Sequence, residues 1–265
     1  MHIKRLHLIE IEDQHWCPKP IRNGITDILR FNLNTGKIYH PIIPLFLKVL
    51  EKTGSTQVID LCSGGGGPWP SLLKALPEER DLHLHFTDKY PNVDTLNDVK
   101  RQFSERVTVH STSNDATDLS LEHKGLRTLF TSFHHFTPES ARLILNDAVK
   151  KNQPIAIFEF THRSPLALLL MLFAFIAVFF VAPFAKPFRW SRLVFTYLIP
   201  LLPLIGTFDG IVSCLRTYTH AEMNAMIDSL GADHYHWETG EHKSGGPVPI
   251  TYLMGYPKDQ AASHG

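Results

Sequence analysis

The chain has 265 residues, of which 43% are hydrophobic and 20% charged, the balance of a globular protein with a sizeable core. Lys+Arg and Asp+Glu both number 26, so the formal charge is zero and a nucleic-acid partner is not expected. Cys17, Cys62 and Cys214 are odd in number and far apart, and the 16 histidines are scattered, so neither a disulfide framework nor a metal site is expected.

The N-terminus, Met1-His2-Ile3-Lys4-Arg5, leads into acidic and polar residues, unlike a secretory signal. Residues 1–55 are read as an N-terminal helical cap. Pro18 and Pro20 punctuate its start, and Ile21–Phe31 and Pro41–Leu50 carry apolar residues at helical spacing.

From Gln57 the pattern turns to strand–helix alternation. Strands are predicted at Gln57–Leu61, His83–Thr87, Arg106–His110, Arg127–Thr131 and Pro154–Glu159. Helices are predicted from Leu72, over Val93–Phe103, and from Pro138 to Lys150. Five strands separated by helices imply a parallel sheet covered on both faces. Residues 56–164 form this core.

Residues 165–207 interrupt it. Leu166 to Ala182 carries no polar side chain, and the run reaches the lower limit for spanning a bilayer, about 17 residues. A single span would leave the later strands on the wrong side of their sheet. The second apolar stretch, Leu193 to Gly206, holds Pro200 and Pro203 and makes a poor span. A two-span hairpin would also export Lys186, Arg189 and Arg192. The favoured expectation is a monotopic hairpin on the cytoplasmic face of a membrane, its basic, Trp190-bearing loop against lipid head groups. The alternative is a buried helical pair, or the interface of a homodimer.

The core resumes over 208–257, before a tail at 258–265. Thr219-His220-Ala221-Glu222 has the form of a capping box, and the helix it opens stops at Gly231. Asp233–Thr239 and Pro249–Tyr256 read as two strands joined by the Gly-rich stretch Gly240–Gly246.

Ligand chemistry concentrates at the carboxyl ends of the strands, where open α/β sheets bind. Val58-Ile59-Asp60-Leu61-Cys62-Ser63-Gly64-Gly65-Gly66-Gly67 ends a strand and leads to a helix, with Pro68 after it. Glycines there let the backbone turn sharply and approach a ligand. No Gly-Lys-Ser/Thr follows, which disfavours a nucleoside-triphosphate loop. A carboxylate at Asp60 would repel a pyrophosphate and attract a cationic amino-acid moiety. Asp88, ending the second strand, can accept hydrogen bonds from ribose hydroxyls.

The run Asp60 to Gly66 resembles the first motif of class I S-adenosylmethionine-dependent methyltransferases. Asp60, Gly64 and Gly66 match, and Cys62 stands where many members have the first glycine. The resemblance implies S-adenosyl-L-methionine as cofactor, held by Asp60, Ser63, Gly64, Gly65, Gly66, Asp88 and Ser132. Asn114, Asp115 and Ala116 would stand beside adenine. It also implies a Rossmann-like α/β fold: a seven-stranded, mostly parallel sheet with an antiparallel last strand, to which the apolar helical hairpin is added. The alternatives are an NAD-dependent oxidoreductase and a catalytically silent membrane scaffold.

Catalytic candidates near the strand ends are His134 and His135, either suited to serve as a base, then Glu159, His162 and Arg163. Asp209 and Arg216 flank Ser213 and are read as orienting a substrate head or pairing with each other. Trp16, Arg22 and Thr26 are placed over the cofactor. The acceptor is expected to be a small, lipophilic molecule.

Overall fold

The computed structural model describes residues 3–77, 81–120 and 124–258. Two helices precede the sheet, α1 (Lys19–Thr35) and α2 (Ile43–Thr53). Pro18 caps α1 and Pro20 sits in its first turn, where a missing N–H does no harm. Gly54 closes α2 in the left-handed conformation. Residues 3–17 form no helix but a strap of extended and turning chain, so the cap is helical only from Lys19 onward.

The core follows as β1 (Gln57–Asp60), α3 (Trp69–Ala75), β2 (His83–Asp88), α4 (Val93–Phe103), β3 (Val107–Ser113), β4 (Leu126–Phe130), α5 (Pro138–Lys150) and β5 (Ile155–Glu159). Among the described residues no helix joins β3 to β4. The insertion contributes α6 (Pro165–Val181), α7 (Trp190–Leu193) and α8 (Leu201–Arg216). The chain ends in α9 (His220–Asp228), β6 (Tyr235–His242) and β7 (Ile250–Pro257). Thr219 and Glu222 form the predicted capping box at the start of α9.

The seven strands lie in the order β3-β2-β1-β4-β5-β7-β6. β1 to β5 pair in parallel, and β7 enters antiparallel between β5 and β6. This is the Rossmann-like fold of methyltransferases. β4 and β5 are buried throughout, as strands covered on both faces must be. The order reverses at β1, flanked by β2 and β4, so a crevice opens beyond their carboxyl ends.

Helix α6 is not swallowed by the core. It packs against α8, yet only Ala167 and Val178 of its residues are buried. Phe173, Ile176 and Phe180 face outward, followed by Phe184, Phe188, Trp190 and Leu198. No single described helix is long and apolar enough to cross a membrane. The boundary expected at 207 falls inside α8, which runs on to Arg216.

The basic loop of the insertion does not present its arginines outward. Asp27 of α1, fully buried, accepts from Arg189 Nε and Arg192 Nη1, each at 2.9 Å, and from Thr95 Oγ1 at 2.7 Å. Arg192 is itself buried. The loop of the hairpin is therefore ion-paired to the cap, and the expectation that Arg189 and Arg192 reach head groups is corrected: a buried carboxylate holds both. Lys186 stays exposed.

Removing one partner of such a buried pair strands the other charge. Asp27→Asn is expected to cost about 3–5 kcal/mol in urea unfolding, whereas Asp94→Asn, at an exposed carboxylate, should cost at most about 1 kcal/mol. Equal stability of Asp27→Asn and wild type would contradict this.

Candidate active site

The loop after β1 is shaped by backbone need. Gly66 adopts φ +93°, which a side chain would strain. A Cβ on Gly65 would lie 3.3 Å from the Thr26 carbonyl oxygen of α1, so the cap rests directly on the loop. Cys62 also adopts a left-handed φ of 57°, the conformation a glycine would take freely. Thr131, directly after β4, is a β-branched residue at φ 50°, an outlier of the kind that gathers at functional sites.

Asp88 fixes this loop. Its Oδ2 accepts the Gly64 N–H at 2.7 Å and its Oδ1 the Tyr90 N–H at 2.6 Å. Burial raises its pKa against these bonds. Asp60 lies beneath the loop, 3% exposed, and accepts Thr128 Oγ1 at 2.8 Å. Burial pushes its carboxyl up to about 7, against the hydrogen bond from Thr128 and the nearby polar Trp69 and Ser63 side chains. Ser63 Oγ donates to the Asp60 carbonyl at 2.8 Å.

A cavity of about 370 Å³ opens above these groups, within the usual range for small-molecule sites. Ser63, Gly64, Gly65, Asp88 and Ser132 line it, and Ser132 Oγ has no partner among the described residues. Arg22 and Thr26 of the cap line it as expected, with Arg22 stacked over Tyr90 at 4.5 Å. Trp16 is 59% exposed and does not line it.

Gly66 turns instead toward Val99 and Leu96, and Asp60 supports the floor from below, so neither forms the wall. Asn114, Asp115 and Ala116 are not brought to the wall either. Asn114 Nδ2 bonds Thr112 O, Asp115 Oδ1 closes its own turn on Thr117, and Ala116 enters the core.

The two histidines have different fates. Glu159, at the end of β5 and fully buried, accepts the backbone N–H groups of Ser132 and Phe133 at 2.9 and 2.7 Å. Its other oxygen lies 2.5 Å from His134 Nδ1. His134 is buried and does not line the cavity, whereas His135 does.

His135 Nδ1 lies 2.9 Å from Asp13 Oδ2 and 2.7 Å from Glu10 Oε2. Burial alone would lower its pKa, but the Glu10 and Asp13 carboxylates hold it well above its ordinary value. Burial opposes ionisation of both carboxyls, yet His135 and neighbouring cations bring each down to about 2. The raised pKa favours the protonated ring at His135. His134 is shut off from the cavity. Of the two expected bases, only His135 reaches the cavity.

Arg216 and Asp209 do not pair with each other. Arg216 Nη1 approaches Asp13 and Glu10 at 3.3 and 3.5 Å, and Asp209 accepts the Ile11 and Glu12 N–H groups at 2.8 and 3.0 Å. Ser213 Oγ donates to Glu10 Oε1 at 3.0 Å. Helix α8 thus grips residues 10–13, whose acids the sequence reading passed over. Their signal is the run Ile9-Glu10-Ile11-Glu12-Asp13, acids interleaved with apolar residues where no helix forms. Glu12 lines the cavity, and burial pushes its carboxyl up to about 8. His162 and Arg163 lie apart, facing Glu241 and Glu222.

No protein-family model matches the sequence, and a search of curated proteins finds no match. Solved structures share the fold. The pyocyanin biosynthetic protein PhzM superposes with a TM-score of 0.51 at 13% identity, over 85% of this chain and 56% of its own. NcsB1, an O-methyltransferase from neocarzinostatin biosynthesis solved with S-adenosylmethionine and 2-hydroxy-5-methyl naphthoic acid, gives 0.52 at 14%, over 90% and 58%. The chain thus spans a little over half the length of each. A Rhodobacter sphaeroides protein provisionally assigned as a Zn-dependent alcohol dehydrogenase gives 0.51 at 14%, over 91% and 99%.

The raised Asp60 pKa has a stability signature. Between about pH 4 and 7 the unfolded chain has lost this proton while the folded chain retains it. Its contribution to stability should therefore fall as pH rises through that window, alongside those of Asp209 and Glu12, whose carboxyls burial raises to about 6 and about 8. Urea unfolding across the range should show a downward slope in wild type and a shallower one in Asp60→Asn. An unchanged slope in the variant would refute the assignment.

Proposed function

We propose that this chain is an S-adenosylmethionine-dependent methyltransferase acting on a small, lipophilic acceptor at a membrane surface. The observation that carries the cofactor is the cavity at the β1/β4 switch point, with the glycine loop on one side, Asp60 beneath and Asp88 at the rim. Asp60 suits a ligand that brings its own cation, since ionising a buried carboxyl needs a positive partner. An amino-acid ammonium beside a sulfonium meets that need; a pyrophosphate does not. The complex of NcsB1 with S-adenosylmethionine, on the same fold, supports the reading.

Methyl transfer needs the acceptor held in line with the sulfonium, and positioning of this kind lowers a barrier by up to roughly 7–11 kcal/mol. Ser132, Phe136, Glu12 and His135 line the cavity and are placed to hold the acceptor. Positioning is the mechanism these groups support.

The lipophilic acceptor and the membrane rest on the insertion. Phe180, Trp190 and Leu198 are 71%, 74% and 77% exposed. Removing each such side chain from water is worth about 1.5–3 kcal/mol, which favours a lipid surface as the element that covers them. The root of α6 follows β5, at the ligand-binding edge, so an acceptor dissolved in lipid has a short path to the cavity.

Calorimetry with S-adenosylhomocysteine should show binding that Asp88→Ala weakens by about 1–3 kcal/mol; binding of NAD with no binding of S-adenosylhomocysteine would refute the cofactor. The intact protein should sediment with lipid vesicles and resist a salt wash. A variant with residues 165–200 replaced by a short polar linker, which keeps α8, should stay in solution. A monodisperse intact protein without detergent would instead favour a protein interface.

A further inference from the structure

Two buried ligand-type atoms near the cavity make no hydrogen bond among the described residues, and the nearer Glu10 oxygen, Oε1, lies 3.9 Å from His134 Nε2. His134 Nε2 is one; His134 is 1% exposed. Glu10 Oε2 is the other; Glu10 is 0% exposed. Leaving such atoms unpaired in the interior is costly. Glu10 Oε2 does lie 2.7 Å from His135 Nδ1, but too obliquely for a hydrogen bond, and that ring nitrogen bonds Asp13 Oδ2 instead.

We propose that Glu10, His134 and His135 form a binding site for one divalent transition-metal ion, of the zinc class, beside the cavity. One donor atom from each lies within 4.8 Å of the others. Two imidazoles and one carboxylate are a donor set zinc accepts, with donors about 2.0–2.2 Å from the ion and a fourth position left open.

The surrounding groups orient these donors as outer partners of metal ligands do. Glu159 holds His134 Nδ1 at 2.5 Å and so directs Nε2 inward. Ser213 and Arg216 hold Glu10 Oε1, so Oε2 turns to His135 Nδ1 at 2.7 Å. Charge balance agrees: Glu10, Asp13 and Glu159 converge here, and Arg216 is the one guanidinium that reaches these carboxylates among the described ion pairs. A dication supplies the remaining balance. His135 lines the cavity, so the open position faces it and would take Asp13 Oδ2 or a polar atom of the acceptor.

The test uses untagged full-length protein in mild detergent, stripped with chelator and dialysed against Co²⁺. The expected result is one Co²⁺ per chain, with visible d–d absorption that Zn²⁺ abolishes. Glu10→Gln and His134→Ala should each lower Co²⁺ affinity at least about 10-fold, and Glu159→Gln about 10–100-fold. His162→Ala should bind as wild type does. His134→Gln replaces the alanine variant if that one fails to fold. No stoichiometric Co²⁺, or equal retention by the Glu10 and His134 variants, overturns the site and leaves an ion-pair network. S-adenosylhomocysteine binding, measured on the same samples, tests the cofactor reading separately.

Discussion

A single buried carboxylate sets the geometry on which the site depends. Glu159 ends β5 with no exposure, and it accepts two backbone N–H groups of the loop after β4 and faces a His134 nitrogen. A carboxylate buried this deeply is tolerable only when its lone pairs are filled. Filling them fixes the path of Ser132 to His135. That path places His135 against Glu10 and Asp13, and these acids draw the strap of residues 3–17 across the mouth of the cavity. The cap, the sheet and helix α8 thus meet at one polar knot.

The knot also explains why the N-terminal segment is not helical before Lys19. Backbone N–H groups of Ile11 and Glu12 go to Asp209, and the side chains of Glu10 and Asp13 go to His135 and Arg216. Each of these bonds is made with residues more than a hundred positions away. Helical hydrogen bonding in the strap would forfeit them.

This divides what the sequence could reveal from what it could not. The strands and the helices α4 and α5 follow from local period, and so they were legible; only their ends moved by a residue or three. The glycine loop, Asp60 and Asp88 were legible because a turn and a strand end are local features. Cys62 was read as a departure, yet its left-handed backbone shows that the turn keeps its shape without glycine there. Most of what was not legible is long-range. Arg189 and Arg192 carry no sign in the sequence that Asp27 awaits them. Nothing near Asp209 or Arg216 points to Glu10–Asp13. Asn114 to Ala116 follow the right strand, but Asp115 satisfies itself on Thr117 before it can reach a ligand.

The central claim is that the crevice between the glycine loop, Asp88 and the strap is where S-adenosylmethionine binds. Hydrogen–deuterium exchange with and without S-adenosylhomocysteine tests it most directly. The account predicts slower exchange in residues 62–67, 88–90 and 10–26, with the strands β6 and β7 unchanged. Slowing confined to other segments, or slowing of these segments by NAD and not by S-adenosylhomocysteine, would contradict it.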